Sequence, residues 1–150
     1  MPTFVENRQA HFRYEIMETL EAGLELIGHE VKAIKHGRVN LAGSYVIVRG
    51  REAFLSGATI SPYQPANLPE GYEPTRLRRL LLTKPEIIKL AEVELKKGLT
   101  IIPLRMYTKG RSIKLAIGIA RGRKGQDKRE HIKRREVDRE IRRTLKSERG

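Results

Sequence analysis

The side chains with chemistry to offer are mostly cationic, and they come in three groups. Arg76, Arg78 and Arg79 follow a proline-rich stretch, Lys32, Lys35 and Arg38 bracket a short apolar run, and Lys124, Lys128 and Arg129 lie in a C-terminal stretch poor in aliphatics. A guanidinium presents a planar fork to phosphate oxygens and an ammonium a compact charge, so these groups suit a polyanionic backbone. Arg76 and Arg78 alternate with Leu77, as two forks on one side of an extended strand would. A run of charge suits a solvated face as well. Tyr63 and Tyr72, in the stretch before the arginines, fit either stacking on unpaired bases or packing beneath a loop. Asp127 sits among the tail cations and fits a local pairing that orders a turn.

Catalytic chemistry finds less to work with. His11, His29, His36 and His131 lack the i, i+4 ligand spacing of a metallohydrolase, and there is no cysteine to join them. Gly118 to Gly125 is rich in glycine and basic residues but lacks the Gly-Lys-Ser/Thr ending of a phosphate-binding loop. The expectation is a protein without metal, cofactor or catalytic role. A nuclease, using two of the 18 carboxylates brought together by the fold, is the outside reading.

Charge points the same way as the motifs. Lys and Arg number 31 against 18 Asp and Glu, a net +13, and such a field draws in phosphate backbones and makes association salt-dependent. No run of about 18 apolar residues could span a bilayer, and Met1 to Glu6 has no apolar core of a secretory signal. A cytosolic protein with no membrane partner is expected, in keeping with the absence of cysteine.

The elements that must position these residues are legible in part. Residues 14–27 fit a helix face through Ile16, Leu20, Leu24 and Ile27, and a strand through Leu20, Ala22, Leu24 and Leu26, with Gly23 favouring a bent strand. Two helical turns are predicted over 28–37, closed by Gly37. Tyr45 to Val48 and Ala53 to Leu55 flank Arg49-Gly50-Arg51-Glu52 as a hairpin. Five interrupting prolines and glycines between Ser61 and Thr75 make that stretch a long loop. Thr83-Lys84-Pro85-Glu86 is a capping box opening a helix that Gly98 ends. Leu99 to Tyr107 and Ser112 to Ala120 form a second hairpin, with Ile113, Leu115, Ile117 and Ile119 on one face. The fold class is mainly β with short helices: a small antiparallel barrel of the oligonucleotide-binding sort over residues 1–120.

Residues 121–150 differ in kind, with 13 Lys and Arg against 6 Asp and Glu. Their few aliphatics cannot offset the ordering entropy, so this basic tail is expected to be disordered when free. Val137, Ile141 and Leu145 lie four apart, an apolar stripe that would turn helical once a partner supplies a surface. No heptad seam argues for more than one chain, so a monomer is expected.

Four signatures in order resemble one family, the tmRNA-binding proteins of bacterial trans-translation. They are Asn7-Arg-Gln-Ala10; Glu21-Ala-Gly-Leu-Glu-Leu-Ile-Gly-His-Glu-Val-Lys32 with Asn40-Leu-Ala-Gly-Ser-Tyr45; Pro74-Thr-Arg-Leu-Arg-Arg-Leu-Leu-Leu82; and Gly122-Arg-Lys-Gly-Gln-Asp-Lys-Arg129. The resemblance implies a barrel that holds the tRNA-like domain of tmRNA and a tail that enters the vacant mRNA channel near the decoding centre of a stalled ribosome. Elongation factor Tu would join through the tmRNA complex. It also implies Glu30 at the RNA face with Asn7 beside it, and these two join Arg8, Lys32, Lys35, Arg38, Arg76, Arg78 and Arg79 in the expected RNA-binding set. In the tail it implies ribosome contacts from Lys124, Asp127, Lys128 and Arg129, and a helix carrying Val137, Ile141 and Leu145. One departure stands out: Phe12 occupies a position where the family commonly has His, and His11 is displaced from it by one. The runner-up reading is another RNA-binding protein, ribosomal or otherwise, built on the same barrel and tail.

Overall fold

A computed structural model of the chain describes residues 3–63, 68, 70–122 and 141. In chain order the elements are β1 (Thr3–Glu6), α1 (Ala10–Arg13), β2 (Tyr14–Leu24), α2 (Gly28–Lys35), β3 (Val39–Asn40), β4 (Tyr45–Arg49) and β5 (Glu52–Ser56). They continue with β6 (Thr59–Ile60), β7 (Arg78–Leu81), α3 (Lys84–Glu94), β8 (Leu99–Lys109) and β9 (Ser112–Gly122). All pairings are antiparallel, and β8–β4–β5–β7–β2–β9 returns to β8, so six strands form a ring of the kind expected, with β1 added beside β8. β3 and β6 pair separately.

Strand alternation builds the core. On β9, Ile113, Leu115, Ile117 and Ile119 are buried as the sequence predicts, and β9 is paired along most of its length with β2 on one side and β8 on the other. β2 is a strand, bent at a register shift between Ile16 and Glu18. Gly23 serves a different purpose: a Cβ there would stand 3.1 Å from the Cβ of Leu81, so the missing side chain lets β2 approach β7. Pro103 interrupts β8 at a second register shift, where the lack of an N–H makes a bulge the natural outcome.

The ring is thinnest where β4 meets β8, a joint that rests on the pairing of Val46 with Ile101. α3 seals it. Thr83 and Glu86 cap this helix reciprocally, the Thr83 amide donating to Glu86 Oε1 at 2.9 Å, and Leu90 and Val93 lie on the core. Glu94, at the far end, accepts from the Val48 amide at 2.8 Å and pairs with Arg49 at 2.8 Å. A strand-edge donor that would otherwise lack a ladder partner is thereby satisfied. Gly37 follows α2 with φ of 74°, the left-handed cap expected of it.

The sequence reading assigned nothing to β1, α1, β3 and β6, and placed the end of β9 two residues short of Gly122. Among the described residues, no helix is long and apolar enough to cross a membrane.

Candidate nucleic-acid interface

A buried ionic knot joins α2 to the proline-rich loop and β7. Glu30 lies in the first turn of α2 with its carboxylate fully buried, and one oxygen accepts from the Ile27 amide at 3.1 Å, fixing the start of the helix. Arg78 is also fully buried, its Nη2 2.6 Å and its Nε 3.0 Å from Glu30 Oε2. The remaining donors of Arg78 reach the carbonyls of Ala58 at 2.8 Å and Pro74 at 2.9 Å. Arg76 grips the other side of the carboxylate through Nη2 and, at 3.2 Å, through Nε. The Tyr72 hydroxyl accepts from Arg78 at 3.2 Å and stands 3.0 Å from Glu30 Oε2 and 2.9 Å from the Ile60 carbonyl.

Two expectations are corrected by this geometry, and an open one is decided. Glu30 is not an accessible acceptor at an RNA face, because both its oxygens are occupied by protein donors and none of its surface reaches solvent. Arg78 does not present a fork to phosphate, because it points inward beside Leu80 and spends its donors on Glu30 and two carbonyls. Of the two roles open to Tyr72 it takes packing beneath the loop, since its hydroxyl belongs to the knot and its ring meets His29 edge-on at 4.2 Å. Burial pushes the Glu30 carboxyl up, but hydrogen bonds from Arg76, Arg78 and the Ile27 amide outweigh it and hold the group below its ordinary 4.5.

The exposed chemistry lies on the outer side of the knot. Lys32, Lys35, His36 and Arg38 cluster along the second half of α2 and just beyond it, all four exposed. His36 stacks on Tyr63 with ring centroids 3.9 Å apart and planes at 19°, and its Nδ1 lies 2.8 Å from the Lys32 carbonyl. The Arg38 guanidinium stands 5.7 Å from the same tyrosine ring. Tyr63 also packs against the core, which meets the packing half of its expected role, and His36 covers a face of its ring. A stack of imidazole and phenol rings beside a guanidinium, on a helix end that carries two exposed lysines, can stack a base and hold its phosphates together. The sequence offers His36 no role beyond its lack of metal-ligand spacing, and the separation of Tyr63 from it by a whole hairpin hides the pair.

The other expected site residues fall elsewhere. Asn7 donates from Nδ2 to the Pro103 carbonyl at 3.0 Å and through its amide to Leu104 at 2.8 Å, while its carbonyl accepts from Ala10 at 3.0 Å. It closes the turn into α1 onto the β8 bulge and shares no hydrogen bond with Glu30. Arg8 is exposed on that turn, next to a helix carrying Phe12, which is 82% exposed. Arg76 keeps about a third of its side chain in solvent. Arg79 points to the opposite face, paired with Glu52 at 3.2 Å and Glu25 at 3.5 Å. Lys124, Asp127, Lys128, Arg129, Val137 and Leu145 lie outside the described residues. Ile141 is described, in helical conformation and buried, packed with Ile47 and Phe54.

Comparison with known proteins agrees with the resemblance in the sequence. The family model described as SmpB protein matches residues 4–147. A relative in Microcystis aeruginosa (strain NIES-843 / IAM M-2473), an SsrA-binding protein, is 48% identical over 141 residues, covering 94% of this chain and 92% of its own. The SsrA-binding protein of Mesoplasma florum (strain ATCC 33453 / NBRC 100688 / NCTC 11704 / L1) is 47% identical over 140 residues, 93% of this chain and 94% of its own. A chain from a solved structure described as "tmRNA-SmpB: a journey to the center of the bacterial ribosome" is 39% identical with a TM-score of 0.67, covering 85% of this chain and 93% of that one. With a matching fold and a family match that runs nearly end to end, this chain belongs to the SmpB protein family.

Proposed function

We propose that this protein is a non-enzymatic RNA-binding factor that holds the tRNA-like domain of tmRNA and delivers it to stalled ribosomes for trans-translation. The observation that carries the proposal is the corner of Tyr63, His36, Arg38, Lys32 and Lys35, braced from within by the Glu30–Arg78 pair. Stacking on a loop base and charge on the flanking phosphates is how folded RNA elbows are gripped, since unpaired bases can be splayed onto aromatic rings. In this reading Arg8, Lys32, Lys35, Arg38 and Arg76 touch RNA, whereas Glu30, Arg78, Tyr72 and Asn7 position the elements that do. The relatives are SsrA-binding proteins and a tmRNA–SmpB complex at the ribosome, which supports the same partners here.

The finer part of the proposal concerns the tail. Residues 123–150 enter the empty mRNA channel near the small-subunit decoding centre, with Lys124, Lys128 and Arg129 on ribosomal RNA phosphates. The protein works as a cytoplasmic monomer, and elongation factor Tu joins through the tmRNA.

Gel-shift titration tests the corner. Tyr63→Leu keeps apolar packing against the core but removes the stacking face, and it should weaken tmRNA binding by about 1 to 3 kcal/mol. Lys32→Glu with Lys35→Glu should lower affinity and also flatten its salt dependence, by about one unit of slope for each phosphate that is no longer neutralised. Thermal melting should hardly move in the charge variant. Wild-type affinity in both variants would remove the corner from the interface.

A further inference from the structure

Of Lys32, Lys35, His36 and Arg38, only His36 can accept a hydrogen bond. The other three carry N–H donors alone, whose natural partners are phosphate oxygens. Phosphates repeat along RNA and DNA alike, so charge of this kind does not tell one from the other. His36 stands exposed among these cations and is a different sort of group. An imidazole holding one proton offers a donor on one nitrogen and a lone pair on the other.

The structure fixes which nitrogen is which. Nδ1 of His36 lies 2.8 Å from the Lys32 carbonyl, and a carbonyl only accepts, so Nδ1 carries the hydrogen and donates it. The same oxygen accepts from the His36 amide at 3.2 Å, so backbone and side chain together close the end of α2. The ring plane is held separately, stacked on Tyr63 with centroids 3.9 Å apart and planes at 19°. One constraint acts in the plane of the imidazole and the other perpendicular to it. Nε2 is therefore the lone pair, presented at the ring's other edge by a side chain that is already ordered, which lowers the cost of using it.

We propose that His36 Nε2 accepts a hydrogen bond from a ribose 2′-hydroxyl, and that this contact lets the corner tell RNA from DNA. The contact rests on the proposed function of the corner as an RNA site. A base laid on the stack of rings uses their faces, so the group that reaches the imidazole's edge is the sugar. Lys35 and Arg38 lie on either side of His36 in the chain, and phosphates held by both would set a ribose between them. The 2′-hydroxyl donates as well as accepts, and it is what separates RNA from DNA at a given nucleotide.

The test is gel-shift titration of the full-length protein on the tRNA-like domain of tmRNA, made with single 2′-deoxy nucleotides placed in turn through its loops. Wild type should lose about three- to tenfold in affinity at one such position. A 2′-O-methyl group there, which keeps the oxygen but removes its hydrogen, should cost at least as much. His36→Phe keeps a ring on Tyr63 without an acceptor. It should bind the unmodified RNA as weakly as wild type binds the deoxy RNA, and should lose nothing further on the deoxy RNA. If His36→Phe weakens both RNAs and keeps the full deoxy penalty, His36 only shapes the end of α2 and the proposal is overturned. A wild type indifferent to every deoxy substitution overturns it as well. Both of those results leave the corner standing, whereas wild-type affinity in the protein carrying Lys32→Glu with Lys35→Glu would remove the corner itself and this contact with it.

Discussion

Glu30→Ala should cost the folded protein about 3 to 5 kcal/mol, because it leaves the Arg78 guanidinium buried without its counter-charge. Against a total stability of about 5 to 15 kcal/mol for a domain, that is enough to leave much of the chain unfolded at moderate temperature. The urea midpoint should fall with little change in slope. Donors from three segments close on this carboxylate: Ile27 at the start of α2, Tyr72 and Arg76 in the loop, and Arg78 on β7. Removing it loosens all three segments at once.

The effect carries a pH signature. Glu30 titrates below its ordinary 4.5 in the folded protein, so its contribution is present above that value and is lost as pH falls through the lower, folded one. The stability gap between wild type and Glu30→Ala should be widest near neutrality and should close on acidification. RNA affinity should fall as well, through disorder of the corner that the knot braces. Weakened tmRNA binding with unchanged stability would instead put the carboxylate at the RNA face.

Removal of residues 123–150 should abolish peptide tagging on stalled ribosomes while sparing most of the specific affinity for tmRNA. The cut belongs after Gly122, since Tyr14 and Glu15 of β2 still pair with Gly122 and Arg121. It deletes 12 Lys and Arg against 6 Asp and Glu, so non-specific binding and the salt slope should drop while the corner at Tyr63 stays intact. Charge reversal at Lys128 and Arg129 should block tagging in the same way. Normal tagging by the shortened protein would refute the division of labour between barrel and tail.

Much of the barrel was legible because its signals are local. The alternation along β9, the glycine turn between β4 and β5 and the capping box of α3 each need only a few adjacent residues. What escaped was non-local or very short. Around β7 the alternation of Arg76 and Arg78 with Leu77 fits a strand but gives the arginines as its outward side, because an arginine at an inward position breaks the apolar pattern. Its partner Glu30 lies 48 residues earlier, and nothing near Arg78 announces it. Glu30 enters the expected RNA contacts through the resemblance alone, and no neighbour in sequence shows that its carboxylate is committed to Arg78. The stack of His36 on Tyr63 was hidden for a similar reason, as the loop returns to α2 only after the hairpin is folded.

Whether the barrel grips the tRNA-like domain of tmRNA in particular is decided by a nuclease footprint of the full-length protein on tmRNA at physiological salt, with ordinary tRNA and duplex DNA as competitors. Protection should be confined to the tRNA-like domain, lost with Tyr63→Leu, and displaced by duplex DNA only at large excess. Protection spread evenly along the RNA, or equal competition by all three nucleic acids, would mean that the barrel binds polyanions without that preference and would overturn the assignment.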